Sequence, residues 1–181
     1  MEKIDAAKSG HGITKVAIVG PESTGKTVLA VGLAKYFNAK WVPEYARGYI
    51  DKLGRSYQEH DLLKIAQGQL ELEDRYLSNS RGLLICDTNL LVIKIWSEFK
   101  YGRCDPFILD QLIQRNYEIY LLAGIDVVWK EDPQREHPHQ RKQLYDNYRE
   151  ELVNYKFNFV EINGDEEERL DQSVQAIKKL Y

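Results

Sequence analysis

Short apolar runs alternate along the chain with longer stretches whose apolar residues recur every three or four positions. Lys15 to Gly20 is β-branched and ends in glycine, the pattern of a strand covered on both faces. Gly25 to Phe37 sets Val28, Leu29, Leu33 and Phe37 at helical spacing. Lys40 to Glu44 reads as a second short strand, closed by Pro43 and polar residues. Ser56 to Ser80 reads as a long polar helix with Leu62, Ile65, Ala66, Leu70 and Leu77 on its apolar side. Leu83 to Asp87 is a third strand, followed by helices over Asn89 to Tyr101 and Pro106 to Asn116. Ile119 to Leu122 is a fourth strand, and Asp132 to Arg141 a polar excursion. Gln143 to Tyr155 is a helix and Phe157 to Ile162 a fifth strand. Asp165 to Leu180 closes the chain as a helix, with Asp165 and Glu168 at capping-box spacing.

Strands alternating with helices predict an α/β fold: a five-stranded parallel sheet with helices on both faces. Ligands of such sheets bind beyond the carboxyl ends of the strands, so the residues just after each strand carry the chemistry. No repeat or Pro/Gly-rich linker divides the chain, which predicts one domain over residues 13–181 behind a polar tail over residues 1–12.

Composition narrows the classes. With 181 residues, 43% hydrophobic and 29% charged, the chain is neither disordered nor fibrous. A net charge of −3 lacks the global positive field expected of a nucleic-acid coat or a membrane-surface protein. No apolar stretch approaches the roughly 18–20 residues of a membrane span. Cys86 and Cys104 are too few for a metal framework or disulfide scaffold, which fits a reducing, cytoplasmic setting.

Gly20-Pro21-Glu22-Ser23-Thr24-Gly25-Lys26-Thr27 matches G-x-x-x-x-G-K-[ST], after a predicted strand and at the head of a predicted helix. Glycines let the backbone wrap phosphate oxygens. Successive N–H groups, with Val28 continuing the first turn, and the positive helix end supply the anion seat. Lys26 is placed to reach the outer phosphates of ATP, and Thr27 offers a hydroxyl to Mg²⁺.

Two carboxylates end neighbouring strands. Asp87 is either a metal-holding acid or a plain helix N-cap before the Asn89 helix. Glu44 is either an acid facing the terminal phosphate, where it would take a proton from an attacking hydroxyl, or half of an i, i+3 ion pair with Arg47. The excursion carries Arg135 and Arg141, which a mobile loop would deliver to phosphates; the plain alternative is a solvated loop. His137 and His139 are too few for a metal site. Trp41, Tyr45, Tyr49, Trp96, Tyr101 and Trp129 lie near strand ends or in the following helices, where flat faces suit a heterocyclic ring and packing is the simpler role.

The segments Gly-Pro-Glu-Ser-Thr-Gly-Lys-Thr, Val-Pro-Glu-Tyr-Ala-Arg, Cys-Asp-Thr-Asn, Trp-Ser-Glu-Phe-Lys-Tyr-Gly and Asp-Pro-Gln-Arg-Glu-His-Pro occur in that order. Together they resemble the ribosylnicotinamide (nicotinamide riboside) kinase domain of the NadR-type NAD-biosynthesis proteins. The resemblance implies a P-loop NTPase fold of the nucleoside/nucleotide kinase kind. It also implies ATP- and Mg²⁺-dependent phosphorylation of the 5′-hydroxyl of nicotinamide riboside; some members add a DNA-binding helix-turn-helix, for which 181 residues leave no room, so no nucleic-acid partner is expected. On that resemblance Gly25, Lys26 and Thr27 hold ATP and metal, and Glu44 or Asp87 positions or deprotonates the hydroxyl. Tyr45, Arg47 and Trp96 help hold the riboside, and Arg135 and Arg141 close over phosphates. No H-x-G-H adenylyl-transfer signature occurs, so a kinase half alone is expected. The alternatives are a kinase for another nucleoside and a regulatory ATP-binding module; no guanine-reading Asn/Thr-Lys-x-Asp segment supports a GTPase.

Overall fold

The computed structural model describes residues 12–181, so the expected tail lies, apart from Gly12, outside the described residues. Five parallel strands form one sheet in the order β2-β3-β1-β4-β5. They are β1 (Thr14–Val19), β2 (Lys40–Val42), β3 (Leu83–Asp87), β4 (Ile119–Ala123) and β5 (Phe159–Ile162). β1 pairs with both β3 and β4, with Ile18 opposite Asp87 on one side and Leu121 on the other. The helices are α1 (Lys26–Phe37), α2 (Tyr45–Leu53), α3 (Glu59–Leu77), α4 (Leu90–Tyr101), α5 (Pro106–Gln114), α6 (Arg141–Asn154) and α7 (Glu166–Lys178).

The pleat divides the apolar residues of β1 between two cores. Ala17 and Val19 join Tyr120 and Leu122 against Leu62, Ile65, Leu91 and Leu152 of α3, α4 and α6. Val16 and Ile18 turn the other way, toward Leu29 and Leu33 of α1 and Val174 and Ile177 of α7. Both faces are covered, which is why β1, β3 and β4 read as unbroken apolar runs rather than alternating ones. Each fully buried Val, Leu or Ile contributes about 1.5–3 kcal/mol of transfer free energy.

The observed elements follow the sequence pattern with one addition. β2 ends at Val42, and Glu44, expected at the strand's end, is instead the N-cap position of α2. Pro43 explains the early stop, because it has no N–H for the ladder. α2 is the element absent from the sequence reading, although Tyr45, Ala46, Tyr49 and Ile50 recur at helical spacing and pack against the core. At the far end, the Asp165 side chain accepts from the amides of Glu167 and Glu168, and Glu168 bonds back to Asp165, completing the anticipated capping box.

Because the chain builds β2 and β3 on one flank of β1 and β4 and β5 on the other, the crevice opens beyond the end of β1. The loop after β1 occupies that switch point.

Candidate active site

The turn from β1 into α1 runs through conformations that most side chains avoid. Gly20 has φ +136°, and a Cβ there would lie 2.8 Å from the Ala123 carbonyl oxygen at the end of β4. Ser23 has φ 56° and Gly25, the N-cap of α1, φ 77°. The loop thus curls with glycine where β4 crowds it and where the helix begins. Gly25 makes no side-chain cap to α1, and no described residue accepts from the amides of Thr24, Gly25, Lys26 or Thr27. These are open anion donors at a helix N-terminus. Inside the loop, the buried Thr24 hydroxyl donates to the Pro21 carbonyl at 2.8 Å. Lys26 Nζ donates to the carbonyls of Gly20 (3.0 Å) and Pro21 (2.7 Å). Val28 lies half exposed one position further along α1.

Asp87 reaches this loop from β3. The Thr27 hydroxyl donates to Asp87 Oδ2 at 2.6 Å, while Asp87 Oδ1 is buried without a hydrogen-bond partner. The N-cap alternative for Asp87 does not hold: α4 is capped by Asn89, whose side chain accepts from the Leu91 amide at 3.1 Å. Between them, Thr88 takes φ 73°, a strained conformation for a β-branched residue, and its N–H donates to the Ile18 carbonyl at 3.0 Å.

Glu44 faces the same space. Its carboxylate, like that of Asp87, is pushed above the usual range by burial, against the pull of the Lys26 ammonium. Burial lowers Lys26 in turn, offset by Glu44, Asp87 and Glu22. The Glu44–Arg47 ion pair is not the arrangement found: the Arg47 guanidinium donates to Asp132 at 3.0 Å instead.

Asp132 belongs to the segment between β4 and α6, which folds back over the phosphate loop. The amides of Glu136 and His137 donate to Glu22 Oε2 at 3.0 and 3.2 Å, and the Lys130 amide to Ser23 Oγ at 2.8 Å. Arg135 also reaches Ser23 Oγ at 3.4 Å, and Arg141 donates to the Ser23 carbonyl at 3.3 Å. Both guanidiniums lie over the Trp129 ring, at 5.8 and 5.9 Å. The His137 ring packs edge-on against Phe99. The polar excursion is therefore a structured cover whose arginines stand beside the phosphate loop.

On the other flank, α2, α3 and α4 present aromatic rings. Tyr45 packs its ring where a side chain on Gly68 would be, at 2.2 Å from the missing Cβ, and its amide donates to Gln69 at 2.8 Å. Trp96 stacks with Tyr57, centroids 6.5 Å apart. The Lys100 ammonium lies 3.8 Å from the Tyr57 ring centroid and binds Glu136 at 2.9 Å; the Tyr57 hydroxyl also donates to Glu136, at 2.9 Å. Tyr57, Gly68 and Lys100 are not legible as site residues from sequence, since their contacts arise from helix packing. Trp41 lies elsewhere: it lines a groove of about 600 Å³ beside β2 with Lys40, Pro43, Arg75, Tyr76 and Asn79.

The arrangement offers amide donors and a cation to a polyphosphate, hard oxygen donors to a divalent cation, and a carboxylate beside them. Asp87 Oδ1, an orphaned buried oxygen next to the Thr27 hydroxyl, fits Mg²⁺ in donor chemistry. Among the described residues there is no cluster of three or more His, Cys, Asp or Glu that would hold a metal by protein ligands alone. No helix among them is long and apolar enough to cross a membrane.

Comparison with known proteins agrees with this fold. The family described as an AAA domain matches residues 15–169. The trifunctional NAD biosynthesis/regulator protein NadR of Escherichia coli K12 is 24% identical over 177 residues, covering 93% of this chain and 43% of the relative. The chain thus spans less than half the length of that relative. Two solved NadR structures superpose on it. One, in complex with NR, has a TM-score of 0.82 at 19% identity over 92% of this chain and 50% of the other. The second, with NAD and AMP-PNP, gives 0.78 at 18% identity, over 92% of this chain and 49% of the other. Thymidylate kinase of Candida albicans gives 0.67 at 13% identity, over 93% and 92% of the two chains. The fold is that of the P-loop nucleoside and nucleotide kinases.

Proposed function

The chain belongs to the AAA-domain family of P-loop proteins, and from that premise we propose that it is an ATP-dependent nucleoside kinase. Its acceptor is nicotinamide riboside, phosphorylated at the 5′-hydroxyl to nicotinamide mononucleotide. The observation that carries the reading is the convergence of three elements on one crevice: the phosphate loop, the carboxylate of Glu44, and a cover bearing Arg135 and Arg141. A binding module needs the first; transfer to a small alcohol in a water-poor site needs all three.

The roles divide by geometry. The amides of Thr24 to Thr27 and the Lys26 ammonium hold the polyphosphate of ATP. Thr27 and Asp87 hold Mg²⁺, which when bound neutralises phosphate charge. Asp87 is engaged with Thr27, whereas the Glu44 carboxylate accepts no hydrogen bond from a described residue. Glu44 is therefore the group that orients the acceptor hydroxyl and takes its proton as the hydroxyl oxygen bonds to the terminal phosphorus and ADP departs. Arg135 and Arg141 stabilise charge on the transferring group and exclude water. Tyr45, Arg47 and Trp96 line the acceptor side, with Tyr57 added.

The likeness to NadR, including structures bound to NR and to NAD with AMP-PNP, supports this reading. Incubation with ATP, Mg²⁺ and nicotinamide riboside, followed by mass analysis, is expected to give nicotinamide mononucleotide and ADP. Phosphorylation of another nucleoside in a panel, with none of nicotinamide riboside, would reassign the acceptor. ATP binding with no phosphorylated product from any nucleoside would leave a regulatory module.

A further inference from the structure

α7 carries a buried arginine that touches three separate loops. Arg169 is 4% exposed. Its Nη1 donates to the Thr24 carbonyl at 2.8 Å, in the phosphate loop after β1. Its Nη2 donates to the Gly124 carbonyl at 3.2 Å, just after β4, and to the Asp126 carboxylate. Its Nε donates to the Gly164 carbonyl at 2.7 Å, just after β5. A planar fork with five N–H groups suits this task; a lysine ammonium does not present donors in those fixed directions.

We propose that Arg169 is a positioning residue for the nucleotide: it aims the amides of the phosphate loop without touching the ligand. The reason lies in the peptide group. A trans peptide is planar, and its C=O and N–H point in opposite directions. A guanidinium fixed on the Thr24 carbonyl therefore turns the Gly25 N–H the other way, onto the side where the open donors lie. Arg141 does the same one peptide earlier, through its bond to the Ser23 carbonyl, and so orients the Thr24 N–H. Gly25, at φ 77°, has little backbone stiffness of its own to hold that direction. The brace also anchors the loop to the ends of β4 and β5, which are fixed in the sheet. Asp126 completes the brace by accepting the Gly164 amide at 2.5 Å through its second oxygen.

This inference rests on the proposed use of the loop for a triphosphate, and the test separates the two. Calorimetric titration with ATP and with inorganic tripolyphosphate is applied to the wild-type protein, Arg169→Lys, Arg169→Gln and Asp126→Asn, each below its melting temperature by circular dichroism. Arg169→Lys is expected to weaken both ligands by about tenfold or more, to raise KM for ATP, and to leave KM for the acceptor within about twofold. The glutamine variant gives the same readout if the lysine variant does not fold. Asp126→Asn, which keeps the three carbonyl bonds, is expected to bind tripolyphosphate like the wild type. Unchanged tripolyphosphate affinity in the Arg169 variants, or an equal loss in Asp126→Asn, would overturn the inference. A wild-type protein that binds neither ligand would instead overturn the reading of the loop.

Discussion

The Thr27 hydroxyl and the Asp87 carboxylate are joined at 2.6 Å across the gap between the head of α1 and the end of β3, and the second Asp87 oxygen is left buried and unbonded. A hydroxyl and a half-satisfied carboxylate side by side make a hard-oxygen pair for a divalent cation. Asp87→Asn keeps the shape and removes the charge. It is expected to raise the Mg²⁺ concentration needed for half-maximal rate by about tenfold or more and to lower kcat by about 10²-fold or more. Initial rates across a Mg²⁺ titration check this; an unchanged Mg²⁺ requirement would remove Asp87 from the metal.

Lys26→Ala removes the ammonium that bridges the loop carbonyls of Gly20 and Pro21. Turnover is expected to fall by about 10³-fold, with weaker nucleotide binding. A variant retaining more than about a tenth of wild-type kcat/KM would contradict the assignment of the loop.

The pH dependence of turnover should report Glu44. Burial raises its carboxyl above the usual value of about 4.3. The base works as the anion, so the rate rises with pH through a midpoint above the ordinary carboxylate range. In Glu44→Gln that acid limb disappears and kcat drops by about 10²-fold. A limb that persists unchanged in the variant belongs to another group.

Gly68 is the place where α3 makes room for Tyr45, whose ring atoms stand 2.2 Å from where a Cβ would be. Gly68→Ala improves helix propensity by about 1 kcal/mol yet must displace the ring. KM for the acceptor is expected to rise about tenfold, with KM for ATP near wild type. Equal changes in both constants would point to a general loss of structure.

Asp61 ties α2 to α3 away from the reaction. It accepts from Arg55 at 2.7 Å, Tyr49 at 2.9 Å and the Gln58 amide at 2.9 Å. Hydrogen bonds led by Arg55 hold its folded-state pKa well below the usual value. A depressed carboxylate contributes stability above its unfolded pKa of about 3.9, which is lost as pH falls toward the folded value. Asp61→Asn is expected to cost about 1–3 kcal/mol at pH 7 and to flatten the loss of stability below about pH 4. Urea unfolding at several pH values measures both.

What the chain discloses in one dimension follows a physical rule. The loop from Gly20 to Thr27 is legible because its residues act on one ligand from consecutive positions. β3 and β4 are legible because burial on both faces leaves unbroken apolar runs. α2 goes unread although Tyr45, Ala46, Tyr49 and Ile50 recur at helical spacing and pack on the core, because the stretch is only nine residues long and Pro43 and Gly48 punctuate it. Arginines announce their charge but not their partners: Arg47 stands three residues from Glu44 yet bonds Asp132 of the excursion, because the chain returns over the loop. The contacts of Tyr57 with Trp96, and of Arg169 with Thr24, join residues far apart in the chain. Only the packing of α3 on α4 and of α7 on α1 brings them together.

The placement of β1 at the centre of the sheet has a consequence for how such chains diversify. The polypeptide finishes one flank, residues 40–101, before it builds the other. Rings and carboxylates on the alcohol's side are thus encoded in one uninterrupted stretch, and the clasp and its bracing arginines in a later one. Exchange of the first stretch between homologous chains would retune which alcohol is selected, provided that the incoming stretch keeps an acid at Asp87 to meet Thr27.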